Sequence, residues 1–206
     1  MIEASRSDAY PAAACRVDAA RMEGGTERLL LRPLTLADAP AMQEHFPHWE
    51  IVRYLLAAVP WPYPPDGARR FCRDTALPAM EQGEAWHWTL RLRSAPGAAI
   101  GMVSLFRRGE DQRGLWLGLP WQRQGLMTEA AAWANDVWFD TLGFDHLRVG
   151  KARANTASRR LSQRQGMRLV ATGERNFVCG TLDAETWELT AAEWRAWRAK
   201  HPPRPA

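Results

Sequence analysis

The sequence has few of the features that mark membrane, exported or metal-binding proteins. Its 206 residues contain no apolar run near the about 20 residues that cross a bilayer, and Glu3 and Asp8 argue against an N-terminal targeting segment. The three cysteines, Cys15, Cys72 and Cys179, are odd in number and have no metal-ligand spacing. We therefore expect a cytoplasmic protein with reduced thiols, no membrane association and no metal ion.

Two familiar phosphate-binding signatures are also missing. The chain has neither a G-x-x-x-x-G-K-[ST] run nor a G-x-G-x-x-G run. Lysine is scarce as well, since Lys151 and Lys200 are the only two, although the net charge is +4 and the pI about 9.3. No helix-turn-helix, RNP or zinc pattern accompanies this basic charge, so the sequence does not favour nucleic acid as a partner. Eight basic residues and one acid lie between Arg148 and Arg175, which favours an anion site nearby.

The length and composition indicate one globular domain. The chain is 46% hydrophobic and 24% charged, and only residues 1–25 lack clear periodicity. We expect a poorly ordered extension over 1–25, a single domain over 26–200 and a tail over 201–206.

Hydrophobic periodicity predicts a mixed α+β fold. Strand-like segments are RLLLRPL, WHWTLRLR, AAIGMVSLFR, GLWLGL, HLRVGKA, MRLVATG and FVCGTL, and three of them, from residue 86 to residue 119, form an antiparallel meander. Helical segments lie between and after these strands, and the last begins at a capping box from Thr190 to Glu193.

The tetrapeptide QRQG occurs twice, in two different contexts. The first copy, residues 122–125, lies between a strand and a helix that we expect to begin near Thr128. Free N–H groups at that helix start would bind an anion, with Gly125 allowing close approach and Arg123 adding charge; an ordinary strand-to-helix turn is the alternative. The second copy ends a helix at Gly166 and is a C-cap.

The first QRQG and its surroundings resemble the GNAT N-acetyltransferases. Q-R-Q-G-L-M is similar to the [RQ]-x-x-G-x-[GA] acetyl-CoA loop of that family, with Met127 where the family prefers Gly or Ala. TERLLLRPLTLADAPAM, WLGLPWQRQGLMTEA, ANTASRRLSQRQGMRLV and WELTAAEW resemble the RimJ/RimL-type branch across residues 26–198. This resemblance implies a twisted, mixed and mostly antiparallel sheet with helices on both faces and a splay between the fourth and fifth strands.

The resemblance implies that acetyl-CoA binds as the cosubstrate. Its pantetheine arm would pair with backbone groups of the fourth strand at Leu117 and Leu119, where one N–H would polarise the thioester carbonyl. The pyrophosphate would bind main-chain N–H groups of Gln122, Arg123, Gln124, Gly125, Leu126, Met127 and Thr128. The 3′-phosphate would meet an arginine, with Arg123, Arg159 and Arg160 as candidates.

Two further residues match catalytic positions of the family. Asn155 corresponds to the asparagine that contacts the pantetheine amide, and Ser158 to a residue proposed to protonate the departing thiolate. A helix-start residue and a helix-surface serine are the ordinary alternatives for these two positions.

The acceptor side is less defined. A base or a water chain must take a proton from the acceptor amine, and Glu84, His87 and Asp111 are candidates, with a structural polar residue on a strand as the alternative for His87. Trp116 and Trp121 could line the acceptor site, and Glu129 is expected to be structural.

The sequence thus predicts an acetyl-CoA-dependent N-acetyltransferase that acts on a protein N-terminal α-amine or on a small-molecule amine. A non-catalytic acyl-CoA-binding regulatory module on the same fold is the alternative. The sequence leaves the acceptor open, and it leaves open whether the protein is a monomer or a homodimer.

Overall fold

The computed structural model describes residues 22–203 of the 206-residue chain. Most of the expected N-terminal extension, Cys15 and the end of the tail lie outside this range. Residues 24 and 25, which were expected to belong to the extension, form a short strand instead, because their backbone pairs with Leu30 and Leu31.

The described chain is a mixed α+β fold, as the periodicity predicts. Its strands are β1 Gly24–Gly25, β2 Leu29–Pro33, β3 Ala85–Leu92, β4 Gly101–Phe106, β5 Arg113–Leu117, β6 His146–Ala152, β7 Arg168–Phe177 and β8 Gly180–Thr190. Its α-helices are α1 Ala39–His45, α2 Trp49–Val52, α3 Gly67–Arg70, α4 Leu77–Glu81, α5 Leu126–Asp136, α6 Thr156–Arg164 and α7 Ala191–Lys200. Single 3₁₀ turns cover Leu36–Asp38 and Leu119–Trp121, and π-helical segments cover Phe71–Ala76 and Val137–Thr141.

The strands form two antiparallel sheets with helices on both faces. The larger sheet has the order β1-β2-β3-β4-β5, which confirms the predicted meander, and the smaller has the order β6-β8-β7. One core packs Ala130 and Ala134 of α5, and Trp138 of the π-helical segment that follows α5, against the sheet. A second core on the opposite face joins Met42 of α1 to Trp116 of β5. Burial of this kind supplies most of the driving force for folding.

The predicted splay between the fourth and fifth strands lies between β5 and β6, since the short β1 precedes the first predicted strand. At one end the two strands are joined, because the Gln112 N–H donates to the Arg148 oxygen at 2.8 Å and the Arg148 N–H donates to Gln112 Oε1 at 2.7 Å. Beyond this junction, β5 pairs with β4 and β6 pairs with β8. The larger sheet therefore has an open edge along β5.

Two predicted strand boundaries are wrong. The segment FVCGTL is not one strand, because Val178 and Cys179 form a hairpin turn whose N–H groups donate to Leu55 and Arg53 at 3.0 and 3.1 Å. The strand GLWLGL ends at Leu117 rather than residue 119, since the chain enters a 3₁₀ turn that contains a proline.

The last helix begins as the sequence predicts. The Thr190 N–H donates to Glu193 Oε2 at 2.9 Å, and the Glu193 N–H donates to Thr190 Oγ1 at 3.3 Å. No helix among residues 22–203 is long and apolar enough to cross a membrane.

Candidate active site

The loop between β5 and α5 presents a row of unused backbone donors. The Gln122 N–H donates to the Leu119 oxygen at 3.2 Å, and the Thr128 N–H donates to the Gly125 oxygen at 3.0 Å. Between them, the five N–H groups of residues 123–127 have no hydrogen-bond acceptor in the described part of the chain. Of the seven residues expected to bind pyrophosphate through the main chain, these five are available, and Gln122 and Thr128 are not.

Backbone conformation explains how the loop forms this row. Arg123 and Gly125 have φ of 62° and 82°, both in the left-handed region, which is uncommon for a residue with a side chain. Alternating left- and right-handed residues make consecutive N–H groups converge on one concave side, where they bind anions. Because α5 begins at Leu126, two residues before the predicted start, its free N–H groups and the positive end of its dipole directly follow this loop.

Arg28 and Glu129 hold the loop through side-chain hydrogen bonds. The Arg28 guanidinium donates to the Gln124 oxygen at 2.9 Å and to Glu129 Oε1 at 2.6 Å. Thr26 Oγ1 donates to the other carboxylate oxygen of Glu129 at 2.7 Å. These contacts tie the first turn of α5 to the chain before β2. Glu129 therefore makes structural contacts, as expected, whereas no local pattern in the sequence indicates that Arg28 is its partner.

The open edge of β5 carries the groups that would pair with an extended ligand. The Gly118 N–H donates to the Ile100 oxygen of the neighbouring strand region at 2.8 Å. Because antiparallel strands alternate the side to which they donate, the N–H groups of Leu115 and Leu117 point to the open edge. The Leu119 N–H has no acceptor among residues 22–203, and the Leu117 oxygen accepts from Gln122 Nε2 at 2.9 Å. Gln122 therefore contacts this edge through its side chain.

Asn155 and Ser158 lie together at the start of α6. Asn155 is the N-cap, and its Oδ1 accepts from the Ser158 N–H at 3.1 Å. Asn155 thus starts the helix, which is the structural role considered as the alternative. Its Nδ2 and the Ser158 hydroxyl have no hydrogen-bond partner among the described residues, so both groups are available to a ligand.

The three candidate arginines differ in their partners. Arg159 Nε donates to Glu185 Oε2 at 2.8 Å, so its side chain is held against the smaller sheet. Arg123 and Arg160 are exposed and have no acidic partner within residues 22–203. These two are better placed to reach a phosphate.

His87 is a buried strand residue. Its side chain lies among aromatic rings of Phe71 and Phe106, and Nδ1 is 2.8 Å from Ser104 Oγ. Burial lowers the pKa of His87 to about 4. The imidazole is therefore neutral at physiological pH. Its environment is that of a structural polar residue on a strand, the alternative to a catalytic base.

The two acidic candidates for the base also have partners. Glu84 lies 3.3 Å from the Arg108 guanidinium. Asp111 accepts from Arg175 at 2.8 Å and from the backbone N–H of Gly150, where a Cβ would collide with both side chains. Asp111 therefore strengthens the junction of β5 with β6. In the described chain, no group of three His, Cys, Asp or Glu side chains could hold a metal ion.

An aromatic cluster covers the face of β5 opposite α5. Trp116 packs edge-on against Phe46 with ring centroids 5.2 Å apart, and Phe46 packs in the same way against Tyr63 at 5.1 Å. Trp121 contacts the His45 ring with centroids 4.9 Å apart. Trp116 thus belongs to the core on the α1 side, whereas Trp121 contacts His45 of α1 and also packs against the core on the α5 side.

The family of this chain follows from a match to a family model. The model described as an acetyltransferase (GNAT) domain matches residues 28–168, which is most of the chain. The chain belongs to the GNAT family of N-acetyltransferases, which confirms the family that the loop motif predicted. No curated protein matches the sequence significantly.

Solved acetyltransferases share the fold. Mycobacterium smegmatis RimJ in complex with CoA-disulfide is 16% identical, with a TM-score of 0.74 over 88% of this chain and 94% of that chain. The ribosomal-protein-S5-alanine acetyltransferase of Vibrio fischeri is 14% identical, with a TM-score of 0.71 over 84% and 98%. A RimL L7/L12 α-N-protein acetyltransferase solved with coenzyme A is 15% identical, with a TM-score of 0.68 over 80% and 95%. The fold is therefore the one that the sequence resemblance implies.

Proposed function

We propose that this chain transfers the acetyl group of acetyl-CoA to a primary amine, which attacks the thioester directly. The observation that carries the proposal is the row of five free N–H groups from residue 123 to residue 127, beside an open strand edge. The row suits a pyrophosphate, and the edge suits the amide-bearing pantetheine arm, so the two together match the two halves of one ligand. Two structural neighbours were solved with coenzyme A or its disulfide, which supports the same ligand here.

Each group at the open edge receives a role in this proposal. The N–H groups of Leu117 and Leu119 pair with pantetheine or polarise the thioester carbonyl, where negative charge develops. Asn155 Nδ2 donates to a pantetheine carbonyl. The Ser158 hydroxyl gives its proton to the departing sulfur, and Arg123 or Arg160 meets the 3′-phosphate. The acceptor amine loses its proton to water, since each of the three candidate bases has a structural partner.

The acceptor would approach beside Trp121, which is partly exposed, whereas Phe46 and Trp116 are buried in the second core. A protein N-terminus and a small amine both remain within the proposal. The proposal also includes a cytoplasmic location and either a monomer or a homodimer.

A combined binding and turnover experiment tests the proposal. Calorimetry measures acetyl-CoA affinity, and thiol release is followed with acetyl-CoA and a panel of small amines and N-terminal peptides. We expect saturable binding and amine-dependent thiol release. Binding without release on any acceptor would favour the non-catalytic module, and absence of binding would overturn the assignment of the loop and strand edge.

A further inference from the structure

The strand β7 is exposed on both of its faces and along one edge. It is an outer strand of the smaller sheet, whose order is β6-β8-β7, and every residue from Arg168 to Glu174 is exposed. Leu169 and Val170 are 47% and 42% exposed, although both are large apolar residues. An antiparallel strand normally packs one face on a core, so β7 presents an uncovered apolar surface of the kind that marks an interaction site.

Backbone geometry shows which groups of β7 lie on the free edge. The Ala57 N–H donates to the Asn176 oxygen at 3.0 Å, on the edge that faces away from β8. The pairing of β7 with β8 is regular from Ala171 onward, and the backbone groups of an antiparallel strand point alternately to its two edges. The backbone groups of Thr172 and Glu174 therefore point to the same free edge, and neither residue makes a backbone hydrogen bond there within residues 22–203.

The length of this free edge determines how a neighbouring strand can pair with it. A shift in the pairing register interrupts the regular strand just before Ala171, and Ala57 covers Asn176 at the other end. Regular pairing is thus confined to residues 171–175, whose centre is Gly173. No atom of the described chain lies within 4 Å of a Cβ built on Gly173, and a cavity of about 380 Å³ lies against the same part of β7. The centre of the free edge therefore has open space around it.

The residues of the free edge are complementary to a second copy of themselves. A row of unpaired N–H and C=O groups is a template for another extended strand, and β7 has neither proline nor lysine to block such pairing. Antiparallel pairing of two copies about Gly173 places Thr172 opposite Glu174 and Ala171 opposite Arg175, and each pair occurs twice. No like charges lie opposite each other, and the Thr172 hydroxyl can donate to the Glu174 carboxylate.

We propose that β7 pairs antiparallel with β7 of a second copy of this chain, about a two-fold axis at Gly173, and so joins two three-stranded sheets in a homodimer. A two-fold axis brings the same surface of each copy into contact with itself, as the complementary pairs along β7 require. Leu169 and Val170 of each copy then reach the segment that covers Asn176 in the other, where Leu56 is 43% exposed. The pairing involves no residue of the proposed active site, so its test is independent of acetyl transfer.

Sedimentation equilibrium of the full chain over a range of concentrations tests the dimer. Because the Thr172 N–H points away from β8, Thr172→Pro removes a donor of the free edge and leaves the pairing with β8 intact. We expect wild type to have the mass of two chains, and Thr172→Pro to raise the dissociation constant about 5- to 150-fold, since each copy loses a hydrogen bond. Thr172→Ser keeps the N–H and the hydroxyl and should behave as wild type. A wild type with the mass of one chain at every concentration, or an unchanged constant in Thr172→Pro, would overturn the inference.

Disulfide trapping tests the position of the axis and remains valid if Thr172→Pro fails to fold. Two Gly173 residues that face each other form the closer type of antiparallel pair, with Cα atoms about 4.5 Å apart, which a disulfide can span. We expect mild oxidation to cross-link most of Gly173→Cys into dimers. Gly97→Cys is the matched control, because a Cβ at this exposed glycine also meets no atom within 4 Å, and it should cross-link no more than wild type. Equal cross-linking in the two variants would refute the pairing of β7, even if wild type is a dimer through another surface.

Discussion

Gly125→Pro is the substitution that tests the cofactor loop most sharply. Proline removes one N–H of the row and fixes φ near −65°, whereas Gly125 has φ of 82°. One hydrogen bond to a charged group contributes about 1.5–3 kcal/mol, so loss of a single bond predicts an affinity for acetyl-CoA about 10- to 150-fold weaker. The change of φ also turns neighbouring N–H groups away, which makes this range a lower bound.

Gly143→Pro is the matched control for this substitution. Gly143 is exposed with φ of 73°, and no atom lies within 4 Å of a Cβ built there, so proline imposes similar backbone strain far from the loop. Calorimetry of acetyl-CoA binding and thermal unfolding of both variants are compared with wild type. We expect both variants to lose stability and only Gly125→Pro to lose affinity. Equal affinities in the two variants would refute the assignment of this loop to the pyrophosphate.

Three further predictions concern stability, the helix start and the support of the loop. Because His87 is neutral when folded and its pKa falls from 6.5 to about 4, the unfolded state takes up the proton first on acidification. Stability should be unaffected above pH 6.5 and should fall by about 3 kcal/mol as the pH decreases to the folded-state pKa, and urea unfolding of His87→Gln should show a smaller fall. Asn155→Ala should lose about 1 kcal/mol of stability in urea unfolding, because it removes the helix cap. Asn155→Asp should retain the cap and lose only acetyl-CoA affinity and kcat. Equal kinetics in Asn155→Asp and wild type would contradict a ligand contact. Glu129→Gln should raise KM for acetyl-CoA. Adding Arg28→Met should raise KM little more, because both side chains stabilise one loop. Fully additive effects in a double-mutant cycle would show that the two side chains act separately.

The sequence predicts those parts of the fold that depend on local pattern. The meander and the capping box at Thr190 follow from alternation and from residues three apart, and the structure confirms both. Contacts between distant residues leave no local pattern. Arg28 and Glu129 are 101 positions apart, so neither neighbourhood indicates the pairing. The contact of Lys151 with Ser162 depends on how α6 packs against β6, which no periodicity specifies.

The loop motif predicts where the candidate site lies, but it does not predict which main-chain N–H groups of the loop are free. Seven residues were expected to offer main-chain N–H groups, and the structure uses two of these groups in its own turns, at Gln122 and Thr128. The Gln122 N–H is used in the 3₁₀ turn that contains Pro120, and the Thr128 N–H is used because α5 begins at Leu126. Both depend on local backbone geometry that the motif does not specify. The roles of Asn155 and Ser158 toward a ligand remain predictions.

The proposed function is tested most directly by the amount of acetylated amine that wild type and Gly125→Pro form, quantified by mass spectrometry. Each protein is incubated with acetyl-CoA and the same panel of small amines and N-terminal peptides, with Gly143→Pro as the folding control. We expect acetylated product from wild type and from Gly143→Pro, and only background product from Gly125→Pro at low acetyl-CoA concentration. Equal product from all three proteins would contradict the assignment of the loop, and no product from wild type would contradict the proposed acetyl transfer.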